Sequence, residues 1–206
     1  THVEAMRLLA QIGIALDVLD DAEFLLESVL TFAPDYHAAR FDYVSVLTRR
    51  HKHEQALKEA QRLIALDPSD RSVRTLLANA YVGLGQHQKA LEIFTQLLAD
   101  APNPADLHLS IGHGHKTIGQ QSAAIDSYHA AIDAREHYGE AYWSLANLKT
   151  YRFTPQELTA MELSESNTRA PLTDRYHLCF ALGKALEDQK LYQKSFKYYA
   201  RGNALK

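Results

Sequence analysis

The chain holds a single cysteine and a single tryptophan in 206 residues. With Cys179 alone no internal disulfide can form, and a reducing compartment, the cytoplasm, is the natural expectation. No apolar run approaches the roughly 18 residues of a membrane-crossing helix, and no secretory leader is visible. A strong charge of either sign is missing too. The formal net charge is −3, which gives no electrostatic reason to expect nucleic acid or a membrane surface as a partner. An initiator methionine is also absent, since the chain begins at Thr1, and this reads as an excised or processed piece of a longer protein.

What the chain does contain is ordinary in bulk and regular in detail. Hydrophobic residues make up 46% and charged residues 23%, the composition of a soluble globular protein with ample material for a core. The regularity lies in the spacing. Ala22, Ala56 and Ala90 stand 34 residues apart, as do Pro34, Pro68 and Pro102. A period of 34 is that of a helix–turn–helix repeat. With the alanine at repeat position 20, repeats begin at Val3, His37, Arg71, Ala105 and Gly139.

Positions not used to set this register agree with it. Position 7 holds Leu9, Tyr43, Leu77, Ile111 and Leu145, all large, and position 8 holds Ala10, Val44, Ala78, Gly112 and Ala146. Two short amphipathic helices that cross closely need small residues at the crossing and large ones around it. Gly85 and Gly119 fall where the first helix must end and the chain reverse, and the prolines fall where the second must stop. A lone hairpin cannot bury its apolar face, so neighbouring hairpins are expected to stack into an all-α solenoid.

The stretch "NAYVGLGQHQKALEIFTQLLADAP" resembles the tetratricopeptide repeat family, and the likeness covers nearly the whole chain. The resemblance implies antiparallel helix pairs in a right-handed superhelix. It also implies a function in protein–protein interaction. Four repeats are expected over 3–138, an irregular fifth over 139–175 and a sixth over 176–206. In the fifth, "GEAYWSLANLKTY" reads as a first helix with no Gly-then-Ala turn after it. A new helix start follows, with Thr154 as N-cap, Pro155 in the first turn, Glu157 completing a capping box and Phe153 with Leu158 as a staple.

The carboxy-terminal part also resembles the amino-terminal module of bacterial tetratricopeptide-repeat sulfotransferases, through Ala181 to Ala185 and Gly202 to Leu205. In such proteins a sulfotransferase domain follows a segment of this kind. The loop that binds the phosphosulfate donor is not in this sequence, so no catalytic residue carries over.

Chemistry within the chain itself is harder to find. "GHGHKT" at 112–117 lacks the glycines of a phosphate-binding loop, and the register puts it inside a helix. Among eleven histidines, His108 and His115 could share a face, and Asp126, His129 and Asp133 form a stripe, yet solvated surface side chains are the expected reading. Cys179 lies in an apolar run and reads as a buried structural thiol. No catalytic residue, metal or cofactor is expected.

The remaining candidate is the inner surface, which the family lines chiefly through positions 2, 5, 9, 12 and 13 of each first helix. Here these include Arg7, Gln11, Phe41, Ser45 and Arg49, then Asn79 and Val82. Further along they include His113 and Lys116, then Trp143, Asn147 and Tyr151. Asparagine amides can donate to and accept from an extended backbone, while arginine and lysine could meet acidic side chains. For Trp143, core packing and ligand contact are both open. The carboxylate clamp of chaperone-tail-binding relatives is not matched, because Arg7, Gln11, Asp42, Ser72 and Leu76 occupy its places. The expected partner is a protein or peptide. A self-associating scaffold and the substrate-positioning part of an enzyme are the alternatives, and the oligomeric state is open.

Overall fold

The reversals of the chain are closed by a backbone device that recurs through it. In the computed structural model, which describes residues 2–206, the chain forms twelve α-helices and no strand among the described residues. They fall into two compact units, one running to Ala99 and the other from Asp100. The first contains α1 (His2–Ala15), α2 (Leu19–Phe32), α3 (His37–Arg49), α4 (His53–Ile64), α5 (Arg71–Gly83) and α6 (His87–Leu98). The second contains α7 (Ala105–Thr117), α8 (Gln121–Ala134), α9 (Gly139–Ala146), α10 (Pro155–Ser166), α11 (Leu172–Asp188) and α12 (Tyr192–Leu205).

At five hairpin turns one residue takes the left-handed conformation: Asp17, His51, Gly85, Gly119 and Lys190 have φ between 59° and 80°. Around each, two backbone bonds close the turn. The amide of Gln86 donates to the Tyr81 carbonyl at 2.9 Å and that of Gly85 to Val82 at 3.0 Å. The same pair joins Val18 to Gly13 and Asp17 to Ile14, Lys52 to Leu47 and His51 to Thr48, Gln120 to His115 and Gly119 to Lys116, and Leu191 to Leu186 and Lys190 to Glu187. This is the Schellman arrangement, which satisfies carbonyls that a helix end leaves open. Glycine adopts it without strain, whereas Asp17, His51 and Lys190 do so against the Cβ penalty.

Within the hairpins the small residues sit at the crossings. Ala22, Ala56, Ala90 and Ala124 are buried. Ser195 holds the corresponding place in the last hairpin and is also buried, its hydroxyl donating to the Gly183 carbonyl at 2.7 Å. A buried hydroxyl needs such a partner. Gly112 and Gly183 each lie under a tyrosine ring. A Cβ on Gly112 would stand 2.5 Å from the Tyr128 ring, and one on Gly183 2.7 Å from that of Tyr199.

The first unit is built around one apolar cluster that includes Leu26, Val29, Val44, Leu47, Ala60 and Val73. Helix α5 starts at Asp70, whose carboxylate accepts from the amides of Ser72 and Val73 at 2.8 and 3.2 Å. The second unit has two apolar clusters. One surrounds Tyr128 and Leu145, and the other surrounds Met161, Leu178 and Leu182.

The second unit departs from the regular pattern in two places. Helix α9 is only eight residues long and ends at Ala146, so the chain from Asn147 to Thr154 is a loop in which Lys149 takes φ 54°. Tyr151, expected at the end of a first helix, therefore stands in that loop. Helix α9 packs on α8 and α11. The second helix of this hairpin starts with the full capping box of Thr154 and Glu157. Phe153 and Leu158 each pack against the Met161 cluster. The other departure is the start of α11 at Leu172, a turn before the Tyr176 that the repeat spacing suggested. Pro171 precedes the helix, and Asp174 in its first turn complements the helix dipole.

Asp174 also ties that start down. It is buried, accepts the Gly139 amide at 3.1 Å, and pairs with Arg135 at 2.5 Å.

Candidate functional site

The two units present different surfaces at the positions that sequence spacing singled out. In the first unit most of the polar candidates are already engaged. Arg7 Nε donates to Asp42 at 2.8 Å and Gln11 Nε2 donates to the same carboxylate oxygen at 3.0 Å, so α1 is bound to α3. Arg49 donates to the Ile14 carbonyl at 3.0 Å and to Asp17 at 2.7 Å, across the first turn. Ser45 turns its hydroxyl back to the Phe41 carbonyl at 3.2 Å, and Phe41 is half-buried against the core. Asn79 and Val82 are exposed on α5. The charges of Arg7 and Arg49 are thus compensated within the chain. An acidic partner would have to compete with Asp42 and Asp17 for them.

In the second unit an aromatic patch forms where α9 meets α11. The Trp143 and Phe180 rings lie 5.7 Å apart, Phe180 and Tyr176 6.2 Å, and Tyr176 and His177 4.4 Å, all four residues being half-buried. Such spacings suit tilted and edge-on packing of aromatic rings. Glu140, one helical turn before Trp143, is exposed and acts electrostatically on His113 and His177. Desolvation nevertheless holds both imidazoles below their ordinary pKa, so both are neutral at pH 7. His113 Nδ1 lies 3.0 Å from the hydroxyl of Tyr128. Burial pushes that phenol up to about 12, so it stays protonated.

Next to the patch, Lys116 and Asn147 line one depression of about 240 Å³, together with Gly119, Gln121, Leu148 and Lys149. Asn147 is the capping residue after α9 and is exposed. Tyr151 is directed elsewhere. Its hydroxyl lies 3.0 Å from His129 Nε2 and donates to Glu157, joining the loop to α8 and α10.

Tyr176, His177 and Phe180 were not among the residues singled out from sequence. With the sixth repeat starting at Tyr176, His177 and Phe180 occupy positions 2 and 5, the same inner positions used for the earlier repeats. The signal was present in the spacing and had only to be carried one repeat further.

Nothing in this arrangement resembles a reacting centre. Cys179 is buried, and its thiol is pushed up to about 12 chiefly by desolvation, so it is a poor nucleophile. Among the described residues no group of three or more His, Cys, Asp or Glu side chains could hold a metal ion. No described helix is long and apolar enough to cross a membrane.

Paired antiparallel helices in sequential stacks define a helical-repeat solenoid. The tetratricopeptide repeat family model matches residues 14–80 and 47–111, so this part of the chain consists of tetratricopeptide repeats. Solved structures extend the likeness to the rest. PilW, a widely conserved type IV pilus biogenesis factor, is similar with a TM-score of 0.70 at 16% identity, covering 99% of this chain and 93% of that one. PilF of Pseudomonas aeruginosa gives 0.68 at 14% identity, covering 98% and 91%. A thermophilic tetratricopeptide protein of Thermus thermophilus gives 0.63 at 22% identity, covering 98% of both chains. At these identities the likeness establishes the fold. No curated protein matches the sequence. The fold is that of a protein-interaction module, whose stacked helices supply extended binding surfaces.

Proposed function

We propose that the chain binds an extended segment of a partner protein along its first helices, anchored at the patch of Trp143, Tyr176 and Phe180. The observation that carries this reading is the half-buried state of those rings on α9 and α11, beside the depression holding Lys116 and Asn147. Aromatic side chains supply large contact area at small entropic cost and are the commonest anchors of binding surfaces. Asn147 offers donor and acceptor groups to a backbone, and Lys116 with Lys149 favours an acidic side chain nearby. Asn79, two repeat periods before Asn147, offers the same amide in the first unit.

Trp143 is the only tryptophan, so its emission reports on this surface alone. Titration with a library of extended acidic-aromatic peptides is expected to shift that emission for the ones that bind. Trp143→Ala, followed by calorimetry with a bound peptide, should weaken affinity about tenfold or more, as loss of a central aromatic anchor does. Asn147→Ala should weaken it by the 0.5–1.5 kcal/mol of about one hydrogen bond. Peptides that bind without changing Trp143 emission, and equally well to Trp143→Ala, would place the functional surface elsewhere.

The resemblance of Ala181–Ala185 and Gly202–Leu205 supports a further proposal: the module serves a bacterial, cytoplasmic sulfotransferase-type protein. The encoded residues after Lys206 test it. An α/β domain with a glycine-containing phosphosulfate loop is the expected result, and a stop codon directly after Lys206 would overturn it.

A further inference from the structure

Helix α9 turns a single narrow line to the outside. Six of its eight residues are buried, and the two that are not, Glu140 and Trp143, stand one turn apart. Exposed Asn147 follows one turn later. Spacings of three and four residues place the three side chains on one face. At about 1.5 Å of rise per residue, Glu140 and Asn147 stand roughly 10 Å apart along the helix, with Trp143 between them.

The two ends of this line carry opposite charges, and neither charge is neutralised within the chain. The Glu140 carboxylate takes part in none of the ion pairs of the second unit among the described residues. Tyr138 feels both Glu140 and Arg135, but Arg135 is held by Asp174 and Asp106. His113 and His177 also feel the Glu140 charge, yet both imidazoles are neutral at pH 7 and do not offset it. Lys206, which also acts on His177, is not paired with Glu140. At the other end, Asn147 borders the depression that it shares with Lys116 and Lys149. Neither lysine is in an ion pair, and no carboxylate lines that depression.

Charges placed beside an apolar anchor select their opposites in a partner, because the wrong sign brings like charges face to face. An extended chain advances about 3.3 Å per residue and turns alternate side chains to one side. Residues four apart therefore share a side and span about 13 Å, which suits the separation of Glu140 from the lysines beyond Asn147.

We infer that the partner segment carries both signs of charge: an apolar side chain on Trp143, a basic one two residues away against Glu140, and an acidic one two residues away on the other side against Lys116 and Lys149. This rests on the binding reading proposed above and adds the charge that the Glu140 side requires. A segment acidic throughout meets repulsion at Glu140, and one basic throughout meets it at the lysines. The order of charges is fixed relative to α9 whichever way the segment runs, since the Asn147 amide can both donate and accept.

Titration of Trp143 emission on the 206-residue chain, with short capped peptides built around a central phenylalanine, tests this. The peptides differ only at the positions two residues to either side: lysine and glutamate, two glutamates, or two lysines. The wild-type chain should bind the lysine–glutamate peptide about tenfold more tightly than either of the others, a difference that shrinks as salt is raised. Glu140→Lys should make the two-glutamate peptide the tightest, and Lys116→Glu with Lys149→Glu the two-lysine peptide. Glu140→Gln, which keeps the shape, should bind the lysine–glutamate and two-glutamate peptides equally. All three side chains are exposed, so each variant should keep native helicity by circular dichroism. Equal affinity for the three peptides, or an order that the charge reversals leave as in wild type, would overturn the charge assignment and leave binding at Trp143 in place. Failure of every peptide to shift Trp143 emission would overturn it together with the binding reading.

Discussion

Gly139→Ala is expected to destabilise the second unit by about 3 kcal/mol or more, at the upper end of overpacking effects. The added methyl would run into the main-chain carbonyl of Asp174, which cannot turn aside as a side chain can. That carbonyl belongs to the first turn of α11, and the Asp174 carboxylate is held by the Gly139 amide and Arg135. Relief of the clash would require α9 and α11 to separate, which breaks those bonds and opens the cluster around Leu178 and Leu182. Thermal melting followed through Trp143 emission measures the effect on this unit. For about 100 residues, each kcal/mol is worth roughly 4–8 °C. Gly112→Ala, which meets only the edge of the Tyr128 ring, should cost less. Equal melting temperatures for Gly139→Ala and wild type would show that α9 and α11 do not approach as described.

Tyr128→Ala should cost about 3–5 kcal/mol, the range for emptying a large buried aromatic site. Tyr128 is among the largest fully buried side chains in the molecule and fills the space above Gly112, where no other side chain can substitute for it. Tyr128→Phe keeps the ring and loses only the bond to His113, so its cost should stay near 1 kcal/mol, about that of one hydrogen bond. Denaturant titration of the three proteins, read through Trp143 emission, checks the order. A Phe variant as unstable as the Ala variant would mean that the hydroxyl rather than the ring holds α7 to α8.

Much of the helical framework was legible because its causes are local. Ala22, Ala56 and Ala90 mark close crossings by size alone, and Thr154 with Glu157 marks a helix start by side-chain bonds to the nearest backbone. The turns were only partly legible. Gly85 and Gly119 announce a left-handed residue, but Asp17, His51 and Lys190 take the same conformation with side chains that give no such signal. Their conformation follows from the two helices they connect. The short α9 was not legible either, since residues 139–151 keep helical apolar spacing beyond the point where the chain turns away at Lys149.

The candidate surface divides in the same way. Spacing places Arg7, Gln11 and Arg49 on first helices, but their partners Asp42 and Asp17 lie more than 30 residues away in sequence. Only packing reveals that these cations are engaged. Trp143 was singled out from its position, and the same spacing carried one repeat further reaches Phe180, but that the two rings stand 5.7 Å apart across α9 and α11 is visible only in the fold.

The recurring turn also bears on how the chain reaches its native state. Each Schellman closure joins residues three and five apart, as Gln86 to Tyr81 and Lys190 to Glu187 show. Forming it requires no distant segment to be found first, so the entropy lost to loop closure is small. Every regular hairpin can therefore begin folding by itself on the fast timescale of helix formation and short-loop closure. The α9–α10 connection has no such closure: residues 147–154 are held instead by side-chain bonds, among them those of Tyr151 to His129 of α8 and Glu157 of α10. The settling of this loop against α8 and α10 should accordingly follow the formation of the helices themselves, because the His129 partner of Tyr151 lies 22 residues away.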